Sequence, residues 1–375
     1  MVLRTLIVYL LLFVVMMFSA VQASKTRKWQ YIYIAIFFYA LVFGFRYGVG
    51  ADHINYYEAY LNGFNRERDI EAGYTFLERF FNTLQMPPEV FFSFLCFVQL
   101  YLLVLPHKNN PQLYPYLVFA IIIGVAWLSF MNIVRQATAF SIMAYGLTFA
   151  LKRKFLPYLM TVVIATLFHR SAFIFLFIYP LIIYKKEWFK SIKIELLLLL
   201  LALFIMQLGI IGQYMDSLLM VFQISGYDSY GTNELFDKLV LGDDAETQWG
   251  LGTILIFILD VFLICSSNYV KKESNNAYIT RIYDFIFISI LVSYAFRGSL
   301  ILQRPFTYFG MFKCIFYAYA IYVLLRKVKY QKYGVILIGL IVMYFVAIMY
   351  KMDVNASAYY TVWQKQDYRI EHAGY

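Results

Sequence analysis

Apolar runs long enough to cross a bilayer, repeated from one end of the chain to the other, decide what this sequence can fold into. Residues 31–45, for instance, contain no charged side chain. Hydrocarbon offers backbone amides no hydrogen-bond partner, so such runs must be helices or the strands of a closed barrel. None shows the period-two alternation of a barrel wall. With 62% hydrophobic and 14% charged residues, the chain reads as an all-α polytopic integral membrane protein forming a single transmembrane domain over residues 1–375.

The net charge of +10 could suggest nucleic acid as a partner, but the placement of the basic residues argues for membrane lipid and against nucleic acid. They cluster in short loops: Lys25, Arg27 and Lys28; Lys152, Arg153 and Lys154; Lys185, Lys186, Lys190 and Lys193; Lys271 and Lys272; Arg326, Lys327, Lys329 and Lys332. This is the pattern of cytoplasmic loops. About twelve spans fit between the clusters. They are 3–21, 29–45, 89–105, 113–130, 133–151, 155–168, 171–184, 194–211, 251–267, 282–296, 306–325 and 334–350. With both ends outside, every cluster falls on one side. The outer segments are then 46–88, 212–250 and the tail 351–375. The first span also fits a signal peptide, with Arg4 ahead of an apolar stretch and Ala20-Val21-Gln22-Ala23 after it; it is read here as a retained span.

Residues 155–184 lie between two basic clusters that share a side, so the chain must cross and return within thirty residues. Each arm is about 21 Å of helix against a hydrocarbon core of about 30 Å. The turn Phe168-His169-Arg170-Ser171 is therefore expected to carry its histidine and arginine into the outer half of the membrane. Within the first outer segment, 73–81 is amphipathic enough to lie along the interface. The acidic second segment, with Asp216, Asp228, Glu234, Asp237, Asp243, Asp244 and Glu246, reads as a solvated loop. Cys96, Cys265 and Cys314 lie in apolar runs without metal-ligand spacing and read as small packing residues.

The same topology collects unusual polar residues at the outer face. Arg46, Asp52, His53, Asn55 and Tyr56 follow the second span, and Arg135 and Gln136 open the fifth. His169 and Arg170 form the hairpin turn, while Arg297 and Arg304 flank the tenth and eleventh spans. Arginine at membrane depth costs a few kcal/mol. A single one at a span end is explained by snorkelling, whereas several on one side point to a shared anionic ligand. The guanidinium fork suits two phosphate oxygens, so a pyrophosphate fits. Asp52, presented by Gly48-Val49-Gly50, and His169 are candidate bases for an attacking hydroxyl. Local capping by Asp52 and simple packing of His169 are the plainer alternatives. The tyrosines at the outer ends suit sugar rings and an interfacial belt equally.

Four motifs in order then carry a resemblance: Arg46-Tyr47-Gly48-Val49-Gly50-Ala51-Asp52 with Asn55-Tyr56; Ile133-Val134-Arg135-Gln136; Phe168-His169-Arg170-Ser171; and Gln303-Arg304 with Tyr308-Phe309. Over residues 29–350 the chain resembles the EpsG family of bacterial polysaccharide polymerases, related to the Wzy-type polymerases of O-antigen and capsule. The resemblance implies a glycosyltransferase in the bacterial plasma (inner) membrane, acting on the outer side. It would move a glycan from an undecaprenyl pyrophosphate carrier onto another carrier-linked oligosaccharide, with a chain-length regulator as a further partner. By analogy with class C membrane glycosyltransferases, Asp52 occupies the place of their acidic residue in the first outer loop. His53 has no assigned place in the pattern.

These readings assign Asp52, His169, Arg135 and Arg304 to catalysis. Arg46, His53, Asn55, Tyr56, Gln136, Arg170, Arg297, Gln303 and Tyr308 are assigned to substrate binding. Pyrophosphate is a good leaving group and no carboxylate cluster suggests a metal site, so neither metal nor cofactor is expected. A flippase for the same lipids would need cationic cavity residues in both leaflets. A membrane O-acyltransferase would use His169 but leave the outer arginines unexplained.

Overall fold

The computed structural model describes residues 2–62, 71–184, 186–208, 249–297, 299–352 and 357–371. The acidic segment lies outside the described residues except for Trp249 and Gly250. The chain divides into two compact units, residues 1–185 with 314–375, and residues 186–313.

The first unit begins with α1 (Val2–Thr26) and α2 (Gln30–Gly44), then a two-residue strand β1 (Arg46–Tyr47). Two short helices, α3 (His53–Asn62) and α4 (Ala72–Thr83), lead to α5 (Pro88–Val104). Proline at the first turn of α5 loses no intrahelical hydrogen bond, and Glu89 sits favourably at the same positive end of the helix dipole. The next segment is broken: α6 (Tyr114–Ile122) and α7 (Ala126–Asn132) meet at 61°. Val125 takes a left-handed φ of 58° at the break, and the Trp127 indole donates to the freed Ile122 carbonyl at 3.1 Å.

At the centre stands α8 (Val134–Leu151), packed against α5, α7 and α9 (Phe155–Phe168) and buried along most of its length. Lipid tails give apolar helices no reason to associate, so close contact depends on small residues. Such a residue is Gly146, where an added Cβ would lie 2.3 Å from Thr161 Oγ1 of α9. At Gly44 a Cβ would lie 2.6 Å from the Ser93 Cα of α5. After α9 the chain returns as short pieces, Arg170–Phe173, Ile174–Phe177 and Tyr179–Ile183. They pack back on α9 and α8, with the Tyr158 hydroxyl donating to the Phe175 carbonyl at 2.6 Å. The return expected from the paired basic clusters is thus present, its second arm irregular rather than one helix.

The remaining helices of this unit are Lys313–Leu325, at the unit boundary, and Val328–Tyr350. The tail then comes back to the first outer segment, where β2 (Tyr360–Thr361) pairs antiparallel with β1. Lys365–Glu371 follows as a final short helix.

The second unit contains Ile192–Gln207, Leu251–Ser274, Ala277–Ala295 and Leu300–Met311. Two ion pairs with buried carboxylates lie inside it, Arg281–Asp284 at 2.9 Å and Lys313–Asp260 at 2.6 Å.

Helices occur at nearly all twelve predicted places. Six described helices are long and apolar enough to cross a membrane, or seven if the bent pair counts as one span. The helices α2 and α9 are apolar but short. The polar residues Gln136, Thr138 and Ser141 of α8 are accommodated by burial in protein rather than lipid.

Candidate functional site

The ends of α2, α7 and α9 and the starts of α5 and α8 meet at one end of the first unit, joined by the segment that carries α3 and α4. The order of crossings explains this: helices that alternate in direction return every second connection to the same side. Gly48 and Gly50, with φ of 76° and 89°, make the turn into α3. A Cβ at Gly50 would sit 2.6 Å from the Met131 carbonyl oxygen, so this turn lies directly on the end of α7.

The chemistry of this end centres on Glu71, a residue the sequence reading did not single out. It occupies the N-cap position of α4 and is only 8% exposed. One carboxylate oxygen pairs with the Arg135 guanidinium, and the other meets His169 Nδ1 at 2.8 Å. Arg135 Nε donates to the Tyr56 hydroxyl at 3.3 Å, and the same guanidinium lies 5.6 Å from the centre of the Tyr56 ring. Burial pushes the Glu71 carboxyl up, but the His169 hydrogen bond and the Arg135 charge outweigh it and hold the group at about 2. It is therefore an anion throughout the neutral range, fixing one nitrogen-bearing side chain from α8 and another from the turn after α9. Arg135 and His169 remain about a quarter exposed, with side-chain exposures of 27% and 23%.

Asp52 is exposed beside this group, and its charge acts on Tyr56. Its backbone amide donates to Asn132 Oδ1 at 3.2 Å, tying the turn to the end of α7. Asn55 and Arg170 are exposed, while Gln136 is buried within α8. Arg297, Gln303, Arg304 and Tyr308 belong to the second unit. There Arg297 stacks 4.8 Å from the Trp249 ring centre, and Gln303 donates to the Phe296 carbonyl at 2.8 Å. Arg304 is half-buried on the Leu300–Met311 helix, and Tyr308 is fully buried.

Two expectations give way. Arg46 was expected to meet a ligand, yet it is 0% exposed. Its guanidinium donates to the carbonyls of Phe43, Val49 and Met131. Three backbone acceptors from α2, the glycine turn and α7 take three of its five N–H groups, so it pins the turn. His53 is likewise sealed in, its Nδ1 accepting from the Gly48 amide at 3.2 Å among Tyr47, Tyr57 and Phe92. Burial, then the charges of Arg46 and Lys365, push its pKa well below the ordinary value. It is a neutral acceptor that shapes the turn.

The tail contributes more than the sequence suggested. Besides the β1–β2 pairing, Lys365 donates to the Tyr57 hydroxyl and lies 4.3 Å from that ring's centre. Tyr368 packs against Gly48 and Tyr47. The wall that bears Asp52 is therefore built from both ends of the chain.

A legible signal for Glu71 did exist. Glu71, Tyr74, Glu78 and Phe81 recur at helical spacing and form the buried face of α4, so two carboxyls sit on its inward side. The opposite side exposes Phe76, Phe80 and Leu84, the amphipathic division expected of an interfacial helix.

No curated protein and no solved structure matches the chain. The model of the EpsG family matches residues 29–364, a stretch that begins just before α2, takes in every side chain of the Glu71 cluster, and ends beyond β2. The chain belongs to the EpsG family.

Proposed function

We propose that the protein is a membrane glycosyltransferase that polymerises undecaprenyl-pyrophosphate-linked oligosaccharides into a surface polysaccharide on the outer face of the plasma membrane. The observation that carries this reading is the Glu71 clamp: one buried carboxylate holds Arg135 and His169 side by side, both partly exposed. Preorganised donors stabilise charge that develops in a transition state without reorganising when it appears. Here that charge grows on the carrier's pyrophosphate as its bond to the anomeric carbon breaks. Arg135 receives it, and His169, oriented through Nδ1, lines the same place. Asp52 and His169 are the proton acceptors proposed for the attacking sugar hydroxyl. The roles of Arg304, Gln303, Arg297 and Tyr308 rest on their motif, and those of Arg170, Gln136, Asn55 and Tyr56 on their places near the clamp.

The reading is tested with purified protein and a prenyl-pyrophosphate-linked oligosaccharide, without nucleotide sugar and with EDTA. A ladder of products supports it. Arg135→Ala and Arg304→Ala are each expected to reduce the rate by about 100-fold or more with the protein still inserted. Normal chain lengths from both would defeat the mechanism. Movement of the lipid between leaflets without a ladder would favour a flippase, and transfer of an acyl group would favour an O-acyltransferase.

A further inference from the structure

The inward face of α4 carries a second carboxyl. Glu78 follows Glu71 by seven residues, two turns or about 10 Å along the helix, and on the same side. The two differ in their surroundings. Glu71 is engaged by Arg135 and His169, whereas Glu78 is 4% exposed and its Oε1 has no hydrogen-bond partner among the described residues. The hydroxyl of Tyr74, one turn before Glu78 and 1% exposed, also lacks one. The Tyr74 ring lies 6.0 Å from that of Tyr56, whose hydroxyl accepts from Arg135. A buried carboxyl oxygen without a hydrogen-bond partner costs stability, and the neighbouring face is built from apolar rings such as Phe81 and Phe91.

We propose that Glu78, with Tyr74 beside it, forms the acceptor end of the site, and that the Glu78 carboxylate takes the proton of the attacking sugar hydroxyl. This rests on the polymerase reading and gives the proton-accepting role to Glu78 in place of Asp52 and His169. The acceptor oxygen forms a bond to the anomeric carbon of the donor, and the bond from that carbon to the carrier pyrophosphate breaks. The bonding pair leaves with the pyrophosphate, toward Arg135, and the hydroxyl proton passes to Glu78. Tyr74 donates to the acceptor sugar and positions it.

Protonation supports the division of labour. Burial raises the Glu78 carboxyl to about 7, against the opposing charges of Arg135 and Arg79. Paired carboxyls pushed apart in this way suit different tasks, one permanently charged and one exchanging protons near neutrality. The groups around Glu78 are Tyr74 and Arg79 on its own helix, Arg135 on α8 and Tyr60 on α3, with Glu89 of α5 beyond Tyr60. His169, after α9, is taken by Glu71.

The test is the initial rate of polymer formation from a prenyl-pyrophosphate-linked oligosaccharide across about pH 5 to 9. The wild type is expected to lose activity on the acid side with a midpoint near 7. Glu78→Gln should lose about 100-fold or more in kcat, Glu78→Asp should recover part of it, and Tyr74→Phe should raise KM for the acceptor more than it lowers kcat. A wild type inactive on this substrate overturns the polymerase reading and the base with it. An active wild type whose rate is flat through pH 7 overturns the base alone, without recourse to any variant. So does a Glu78→Gln protein that keeps the wild-type rate and acid limb.

Discussion

Replacing Glu71 by glutamine tests the clamp through stability rather than activity. The wild-type carboxyl is held at about 2, against an ordinary 4.5. At about 1.4 kcal/mol per pH unit, that depression is worth about 3 kcal/mol at neutral pH. The sign follows from proton counting. Between about 2 and 4.5 the unfolded chain binds the proton and the folded one does not, so stability is full above the unfolded value and is lost as pH falls toward 2. Unfolding in mixed detergent micelles, followed by tryptophan fluorescence, measures it. Wild type should exceed Glu71→Gln by about 3 kcal/mol at neutral pH, and the gap should shrink by about 2 kcal/mol by about pH 3. Glu78 works in the opposite sense: the folded chain binds its proton between about 4.5 and 7, so stability falls as pH rises there. It is common to both proteins and cancels in the difference. A gap that stays constant with pH would mean that the substituted amide merely packs badly, and would refute the charged clamp.

Other expectations follow from the same contacts. Arg46→Met should leave the carbonyls of Phe43, Val49 and Met131 without their donor, cost about 3 kcal/mol or more, and lower activity through loss of folded protein, as thermal unfolding would show. Gly146→Ala places a methyl against Thr161 and should destabilise by about 1–3 kcal/mol. The double variant Gly146→Ala, Thr161→Ala should recover most of that loss in the same unfolding measurement. Arg135→Lys keeps the charge but loses the fork that serves Glu71 and Tyr56 at once; kcat should fall while the protein remains inserted.

Much of this was legible before any coordinates. Basic clusters at residues 152–154 and 185–193 required the chain to return after α9, and that return places His169 beside Arg135. The Gly48–Gly50 turn followed from residue type, since positive φ favours glycine. Arg46 was misread for a physical reason: a charged residue closing an apolar span resembles a ligand group, and three carbonyls from separate elements converging on it is a tertiary fact. Hydropathy measures transfer into lipid, so it is a poor guide to α8, which is buried along most of its length in protein. Glu71 escaped notice because an acidic residue in an outer segment is ordinarily solvated, and only the packing of α4 against α9 buries it.

The pairing of Arg46 with Thr361 and Tyr47 with Tyr360 imposes an order on assembly. The first of these strands leaves the ribosome early, and its mate arrives only after more than 300 further residues have been made and inserted. Until then the turn bearing Asp52 lacks the backbone partner and the Lys365 contact that hold it. The helices can thus reach their places while this turn stays unfinished until the tail docks.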